Sequence, residues 1–188
     1  MTPGRAALIA LLDSYSEQSA ASASLIESQK LMYFLQTAGE LLRLRYEKDR
    51  YGPYADNLRH VLIEVEGHYL QGYGDGSSPV MSAEPLEVLP GAADVARAVR
   101  DKHPETSLRI ARVLELANGF ETPYGLELLA SVHSIANEDM EASQDLDWLT
   151  EKVRGWTRRK GRMFTEEHIR SAWETLRDKG WVAESAHA

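Results

Sequence analysis

Between Arg50 and Gly76 the chain reads RYGPYADNLRHVLIEVEGHYLQGYGDG, and three kinds of chemistry are on offer there. His60, Glu64 and His68 are metal-ligating residue types, Gly72, Gly74 and Gly76 repeat as glycines do in phosphate cradles, and Tyr51, Tyr54, Tyr69 and Tyr73 supply rings with polar tips. The metal reading fails on distance. At about 1.5 Å per residue, His60 and His68 stand roughly 12 Å apart along a helix, too far to share an ion whose ligand bonds are near 2 Å. The phosphate reading fails on order, because such loops follow a strand and open into a helix. Here a helical pattern precedes the glycines and SSPVMSAEP follows them, which predicts a turn leaving a helix end.

The tyrosines remain. Tyr46, Tyr51, Tyr54, Tyr69 and Tyr73 are five of the chain's eight, interleaved with Asp49, Asp56 and Asp75. Tyrosine gives a large contact area with a polar tip and suits an interface, and it equally suits the edge of a half-buried core. The candidate partner-binding residues are Tyr51, Tyr54, Asp56, Asn57, His60, Tyr69, Tyr73 and Asp75. Glu138, Asp139, Glu141, Asp145 and Asp147 form a secondary acidic set.

His133 lies on an apolar helical stripe and reads as a hydrogen-bonded core or contact histidine. A catalytic role would need a pocket in which His133, Glu127 and a tyrosine converge. Gly-x-Ser-x-Gly, P-loop and His-Glu-x-x-His motifs are all missing from the sequence, so the residues make no positive case for catalysis.

Helical periodicity dominates the elements that must position these residues. Leu58, Val61, Leu62, Val65 and Tyr69 form one stripe, as do Ile110, Val113, Leu114 and Ala117, then Leu126, Leu129, Ala130 and His133, then Ile169, Ala172, Trp173 and Leu176. Thr122-Pro123 and Thr165-Glu166-Glu167 read as helix starts, and Gly39, Gly119 and Gly180 as residues just past helix ends. SLIESQKLMYFLQTAG is apolar nearly all round and predicts a central buried helix. Short alternations near residues 42–48 and 84–90 predict two strands that pair across the intervening segment.

The expected fold is mainly α: a single helical domain of about seven or eight helices with a small two- or three-stranded β element. Residues 1–140 form its core, 141–182 a C-terminal helical subdomain readable as winged-helix-like, and 183–188 a disordered tail.

The chain has 188 residues, no cysteine and a net charge of -8. That length buries a real core without staples, and the missing thiols exclude disulfides and thiolate metal sites and fit a reducing cytoplasm. The first apolar run is too short to span a bilayer or to serve as a leader, so no membrane association is expected. The acidic balance opposes binding of a nucleic-acid backbone.

The stretches KLMYFLQTAGELLRLRYEKDRYGPYADNLRHVLIEVEGHYLQGYGDG, GFETPYGLELLASVH and MFTEEHIRSAWETLRDKGW resemble the C-terminal domain of DarG antitoxins, from about Arg5 to Trp181. KLMYFLQ and YGPY are similar, more distantly, to Panacea or SocA-like domains. The resemblance implies a domain that binds and inhibits the toxin DarT, which ADP-ribosylates thymidine in single-stranded DNA, by direct contact. Complete DarG proteins carry a covalently linked macrodomain that removes ADP-ribose from DNA, and no stretch of this sequence resembles it. The resemblance therefore implies a fragment with no enzymatic activity, no cofactor and no metal. Its carboxylates and tyrosines would occupy the toxin's DNA path as a DNA mimic, and the chain alone would bind DNA weakly.

A second class of reading is a winged-helix-like, DNA-binding or autoregulatory module. In it GRMFTEEHIRSAWETLRDKGWV forms a strand, a helix and a returning strand, and Arg158, Arg159, Lys160 and Arg162 meet phosphates. The overall acidity and the mixed outer face of that helix stand against it.

Overall fold

A computed structural model describes residues 1–182; the expected tail at 183–188 lies outside the described residues. The chain is mainly helical. In order it forms α1 (Pro3–Ser19), α2 (Leu25–Thr37), β1 (Tyr46–Asp49), β2 (Gly52–Ala55), α3 (Leu58–Val65), β3 (Leu70–Gln71), β4 (Glu87–Val88), α4 (Ala92–Arg100), α5 (Pro104–Ala117), α6 (Pro123–Ala136), a 3₁₀ turn (Ala142–Gln144), α7 (Leu146–Gly155), α8 (Arg158–Met163) and α9 (Glu166–Asp178).

Helix starts follow the local chemistry. The Ser24 hydroxyl accepts from the Glu27 N–H while the Glu27 carboxylate accepts from the Ser24 N–H, a reciprocal cap that satisfies two otherwise unpaired donors. Thr122 and Thr165 cap α6 and α9 through the N–H groups of Gly125 and His168, as the sequence pattern predicts. Gly39, Gly119 and Gly180 follow α2, α5 and α9 with positive φ.

The predicted stripes are the buried ones. Leu58, Leu62 and Val65 of α3, Ile110, Val113 and Ala117 of α5, and Ile169, Ala172 and Leu176 of α9 all join one apolar cluster, which is continuous from Ala6 to Val182. Helix α6 packs against α2, α7 and α9, and α1 packs against α4 and α5. As predicted, α2 is central and buried.

The β structure differs from the expectation. Residues 42–48 and 84–90 do not pair with each other. Instead β1 pairs antiparallel with β2 around the Arg50–Tyr51 turn, Glu47 opposite Tyr54 and Asp49 opposite Gly52. Separately, β3 pairs with β4, Leu70 opposite Val88. The reason is that residues 43–45 already have side-chain partners. The Gln36 carboxamide accepts from the Leu44 N–H at 2.8 Å and donates to the Leu44 carbonyl at 2.9 Å. Asn57 does the same for its neighbours, accepting from the Arg45 N–H and donating to the Arg43 carbonyl, both at 3.0 Å.

The glycine run is the turn the sequence predicts. At Gly72, with φ 111°, a Cβ would lie 2.0 Å from the Pro85 carbonyl oxygen, so no side chain fits where β3 leaves toward the following loop. His60, Glu64 and His68 are all exposed. Among the described residues no three His, Cys, Asp or Glu side chains are placed to hold a metal ion. No helix among the described residues is long and apolar enough to cross a membrane.

Two polar clusters sit inside the helices. The Glu127 carboxylate of α6, 1% exposed, accepts from Lys160 Nζ at 2.5 Å and from Arg159 at 2.6 Å. Lys160 is itself fully buried, so the basic run TRRKGR is not a solvated face throughout. The second cluster surrounds His133. Its Nε2 lies 3.1 Å from the Trp181 carbonyl oxygen, which only accepts, so Nε2 carries the proton and Nδ1 accepts from the Tyr33 hydroxyl at 2.8 Å. This ties the end of the described chain to α2 and α6. It is the core role predicted for His133.

Two outcomes follow. Glu127→Ala leaves Lys160 buried without its anion and should cost about 3–5 kcal/mol in urea unfolding. Burial pushes the His133 pKa down to about 4 from an ordinary 6.5, against the opposing hydrogen bond to Trp181. The folded state therefore binds fewer protons. The stability this neutral imidazole contributes is complete above pH 6.5 and is lost as pH falls toward 4, by about 3 kcal/mol. The stability gap between the wild type and His133→Gln should shrink correspondingly between pH 7 and pH 4.5.

Candidate functional site

The β1–β2 ribbon lies on α2 and α6 because buried side chains of α2 reach its backbone. The Gln29 carboxamide accepts from the Ala55 N–H and donates to the Ala55 carbonyl, both at 3.1 Å. Lys30 Nζ donates to the Pro53 carbonyl at 2.8 Å. Pro53 has no N–H for a ladder bond, which suits its place in a short ribbon clamped from one side. Burial pushes the Lys30 pKa down to about 7, with the Glu127 charge acting in the opposite sense.

Outside the ribbon is a cleft of about 520 Å³ lined by Arg45, Glu47, Lys48, Asp49, Tyr54, Asp56, Asn57 and His60. Strand alternation puts Glu47 and Asp49 on one face of β1, and the register puts Tyr54 on the same face opposite Glu47. Two residues apart on a strand, their Cα atoms are about 7 Å from each other. Gly52 stands opposite Asp49, and a Cβ there would lie 3.0 Å from Ser131 Oγ and 3.4 Å from Lys30 Cε, so the glycine lets the ribbon lie close on α2 and α6. The Tyr54 hydroxyl has its pKa raised, first by burial and then by the Asp56 carboxylate. Lys48 reaches the other way as well, with Nζ 2.6 Å from Glu138 Oε1 and 5.0 Å from the centre of the Trp156 ring. The cleft thus gathers Arg45, the stem of Lys48 with its Nζ turned to Glu138, three carboxylates, a phenol and an imidazole. It can hold a polar ligand through ion pairs and can move protons.

The predicted partner-binding residues divide. Tyr54, Asp56, Asn57 and His60 come together in the cleft. Tyr51 lies apart, between Arg50 and Arg159, whose guanidinium carbons are 5.5 and 4.7 Å from its ring centre. Tyr69 packs against the core, and Tyr73 is 6% exposed, its hydroxyl accepting from Arg59 Nε at 3.3 Å. Tyr73 therefore presents no docking ring. Asp75 closes a turn by accepting from the Ser77 N–H.

The acidic set is also partly occupied within the chain. Glu138 pairs with Lys48, Asp139 accepts from the Ala142 N–H, and Asp145 caps α7 through the N–H groups of Asp147 and Trp148. Asp147 lines a shallow depression with Glu151 and Arg154, and Glu141 is exposed. The candidate residues left out Arg45, Glu47, Lys48 and Asp49; the charged side of the 43–47 alternation was the signal for Arg45 and Glu47, and Asp49 stood among the aspartates interleaved with the tyrosines.

The winged-helix reading does not survive the geometry. Residues 158–163 are helix α8, no strand flanks α9 among the described residues, Lys160 is buried and Arg159 is held by Glu127. The pocket of His133, Glu127 and a tyrosine is not formed either. His133 meets Tyr33, whereas Glu127 meets Lys160 and Arg159, and His133 is 1% exposed.

Fold and site define a mainly helical protein with a mixed-charge cleft beside a clamped ribbon. No family model matches the chain. Over 180 residues it is 38% identical to a DNA ADP-ribosyl glycohydrolase of Thermus aquaticus, an alignment covering 96% of this chain and 48% of that protein. Proteins of the same name from Mycobacterium bovis and Mycobacterium tuberculosis are each 34% identical over 187 residues, covering 94% of this chain and 53% of the relative. The chain spans about half the length of the curated relatives it matches.

These relatives correct the expectation drawn from the resemblance. Nearly the whole of this chain aligns with proteins named as DNA ADP-ribosyl glycohydrolases. The reading of a non-enzymatic, toxin-binding domain that inhibits DarT by DNA mimicry, set apart from the glycohydrolase, gives way to that finding.

Removing the ribbon's clamp tests how the cleft is built. Gln29→Met should orphan the N–H and carbonyl of Ala55 at about 1–3 kcal/mol for each group. Hydrogen exchange should accelerate first at the amides of 52–55.

Proposed function

We propose that this chain takes part in removing ADP-ribose from DNA, and that the cleft beside the β1–β2 ribbon is where it meets that substrate. The observation that carries the proposal is its identity of 34–38% with DNA ADP-ribosyl glycohydrolases across 94–96% of its length. As about half the length of such proteins, the chain shares the task with the remainder. A setting in the reducing cytoplasm belongs to the same reading, since the chain has no cysteine.

The cleft supplies chemistry of a fitting kind. ADP-ribose carries a diphosphate, two sugars and a base. Arg45 offers the diphosphate a cation in the forked geometry that suits phosphate oxygens, and Lys48 offers a second on exchanging its Glu138 partner for a phosphate oxygen. Tyr54 offers a ring, and Asp56 and His60 offer acceptors and a donor for sugar hydroxyls. Glu47 and Asp49 share one face of β1 in the cleft, and two carboxyl groups can divide such a reaction, one protonating the leaving glycosidic atom and the other activating water. These two parts are assigned to Glu47 and Asp49.

The test uses a fluorescent oligonucleotide carrying one ADP-ribosyl group and the same oligonucleotide without it. Anisotropy should show tighter binding of the modified strand. The Arg45→Glu, Lys48→Glu double variant should weaken that binding at least about five-fold, the equivalent of roughly 1 kcal/mol. Glu47→Gln and Asp49→Asn should leave binding nearly unchanged and slow the release of ADP-ribose followed by electrophoresis. Equal affinity for the two oligonucleotides, unaffected by the charge reversals, would remove the cleft from this role.

A further inference from the structure

A second cavity lies away from the ribbon, between the start of α6 and helix α9. It measures about 170 Å³, and Phe120, Thr122, Tyr124, Leu128, His168 and Ser171 line it. That is room for one ring system, well below the volume of a pocket for a drug-sized ligand. No lysine or arginine is among its lining residues, so a phosphate has no counter-charge there.

The walls are fixed before any ligand arrives. The Glu121 carboxylate accepts from the Gly119 N–H at 2.7 Å and from the Gln18 carboxamide at 2.9 Å, which anchors the loop bearing Phe120. Gly125 lets that loop lie directly on the helix start, since a Cβ there would stand 2.5 Å from the Phe120 carbonyl oxygen. The Tyr124 ring is set edge-on to Phe164 and His168, with centroids 5.3 and 5.6 Å away.

Proton counting then gives the cavity a polar preference. The Tyr124 hydroxyl lies 3.1 Å from the Met163 carbonyl oxygen and 2.6 Å from His168 Nδ1. It has one proton, and a carbonyl can only accept. Both contacts are hydrogen bonds when the hydroxyl donates to Met163 and accepts from Nδ1–H. A neutral His168 then keeps its lone pair on Nε2, on an exposed side chain at the edge of the cavity.

We propose that this cavity accepts a single unstacked nucleobase, with Phe120 and Tyr124 as its ring contacts and His168 Nε2 accepting from a base N–H. Aromatic walls, the His168 acceptor, the hydroxyls of Thr122, Tyr124 and Ser171 and the lack of a cation in the lining suit the flat face and polar edge of a base and do not suit a phosphate. Proteins that act on nucleotides within DNA take the target out of the stack and hold its base among such groups. The inference rests on the proposed function and adds to it a second contact, for a base, separate from the charged cleft.

The experiment is a titration of the full chain with thymidine, adenosine and, as the base-free control, ribose 5-phosphate. The readouts are the Leu128 methyl resonances and the His168 ring nitrogens. Nucleosides should shift both saturably and ribose 5-phosphate should shift neither. Phe120→Ala should weaken the nucleoside response at least about five-fold, the lower end of what one base–aromatic stack contributes. His168→Gln, at an exposed position, should weaken it without unfolding the chain. Shifts of the same size with ribose 5-phosphate, no shift with nucleosides, or shifts indifferent to both variants would overturn the proposal. Should the modified oligonucleotide still bind through Arg45 and Lys48 in that case, the base site alone fails and the proposed function stands.

Discussion

A side chain that carries a hydrogen-bonding group into the interior must find a partner there, and helix α2 carries several in sequence. Glu27, Gln29 and Lys30 are all less than one-tenth exposed. Glu27 takes the Ser24 N–H and the Tyr15 hydroxyl, Gln29 pairs with both backbone groups of Ala55, and Lys30 donates to Pro53. Gln36 extends the pattern to Leu44. Apart from its own β1–β2 pairing, the segment from 40 to 57 is therefore held to the helices by no further strand among the described residues. It is held by side-chain amides and one ammonium that stand in for the strand it lacks, and each such contact would cost a buried, unpaired group if broken. The candidate cleft depends on this, because its lining residues lie on the outside of the segment so clamped.

The same constraint operates at α6. Glu127 and His133 are buried on faces that face α2, α8 and the chain around Trp181. A lone carboxylate at Glu127 would be costly to bury, and so would Lys160 by itself; together with Arg159 they form a unit whose members are tolerable only in each other's presence. That unit turns a basic run which looks like a phosphate-binding stretch into an internal brace between α6 and α8. Burial of polar groups thus decides both what the protein presents and what it withholds. Tyr54 and His60 are presented, whereas Tyr73, Lys160 and His133 are withheld.

Much of the helical framework is legible from residue order. Leu58, Leu62 and Val65 recur at the spacing of a helical face, and Thr122-Pro123 and Thr165 supply capping oxygens where the first N–H groups of a helix lack partners. These are interactions within a few residues, so local spacing suffices. The β pairing was misread because alternation at 42–48 shows that a segment can be extended without showing its partner. The partners of 43–45 turned out to be carboxamides from α2 and from Asn57, between eight and fourteen residues away. Four of the eight tyrosine-segment candidates, Tyr54, Asp56, Asn57 and His60, share the cleft, while of the four charged residues beside them Arg45 and Glu47 showed only as the polar side of an alternation.

By itself the sequence determined the helical class, the helix starts and ends, the buried stripes and the turn at the glycine run, because each follows from contacts within one or two helical turns. The tertiary structure alone decided which tyrosines face out, which acids are already engaged, that Lys160 and Glu127 are internal partners and that two short ribbons replace one. Those outcomes depend on groups that meet across 33 residues in Glu127–Lys160 and 90 in Lys48–Glu138, and no local pattern encodes such a meeting. The physical reason is that burial is a property of the assembled interior. A charged residue in sequence is only a charge, and its neighbours in space settle whether it binds a ligand or braces a helix.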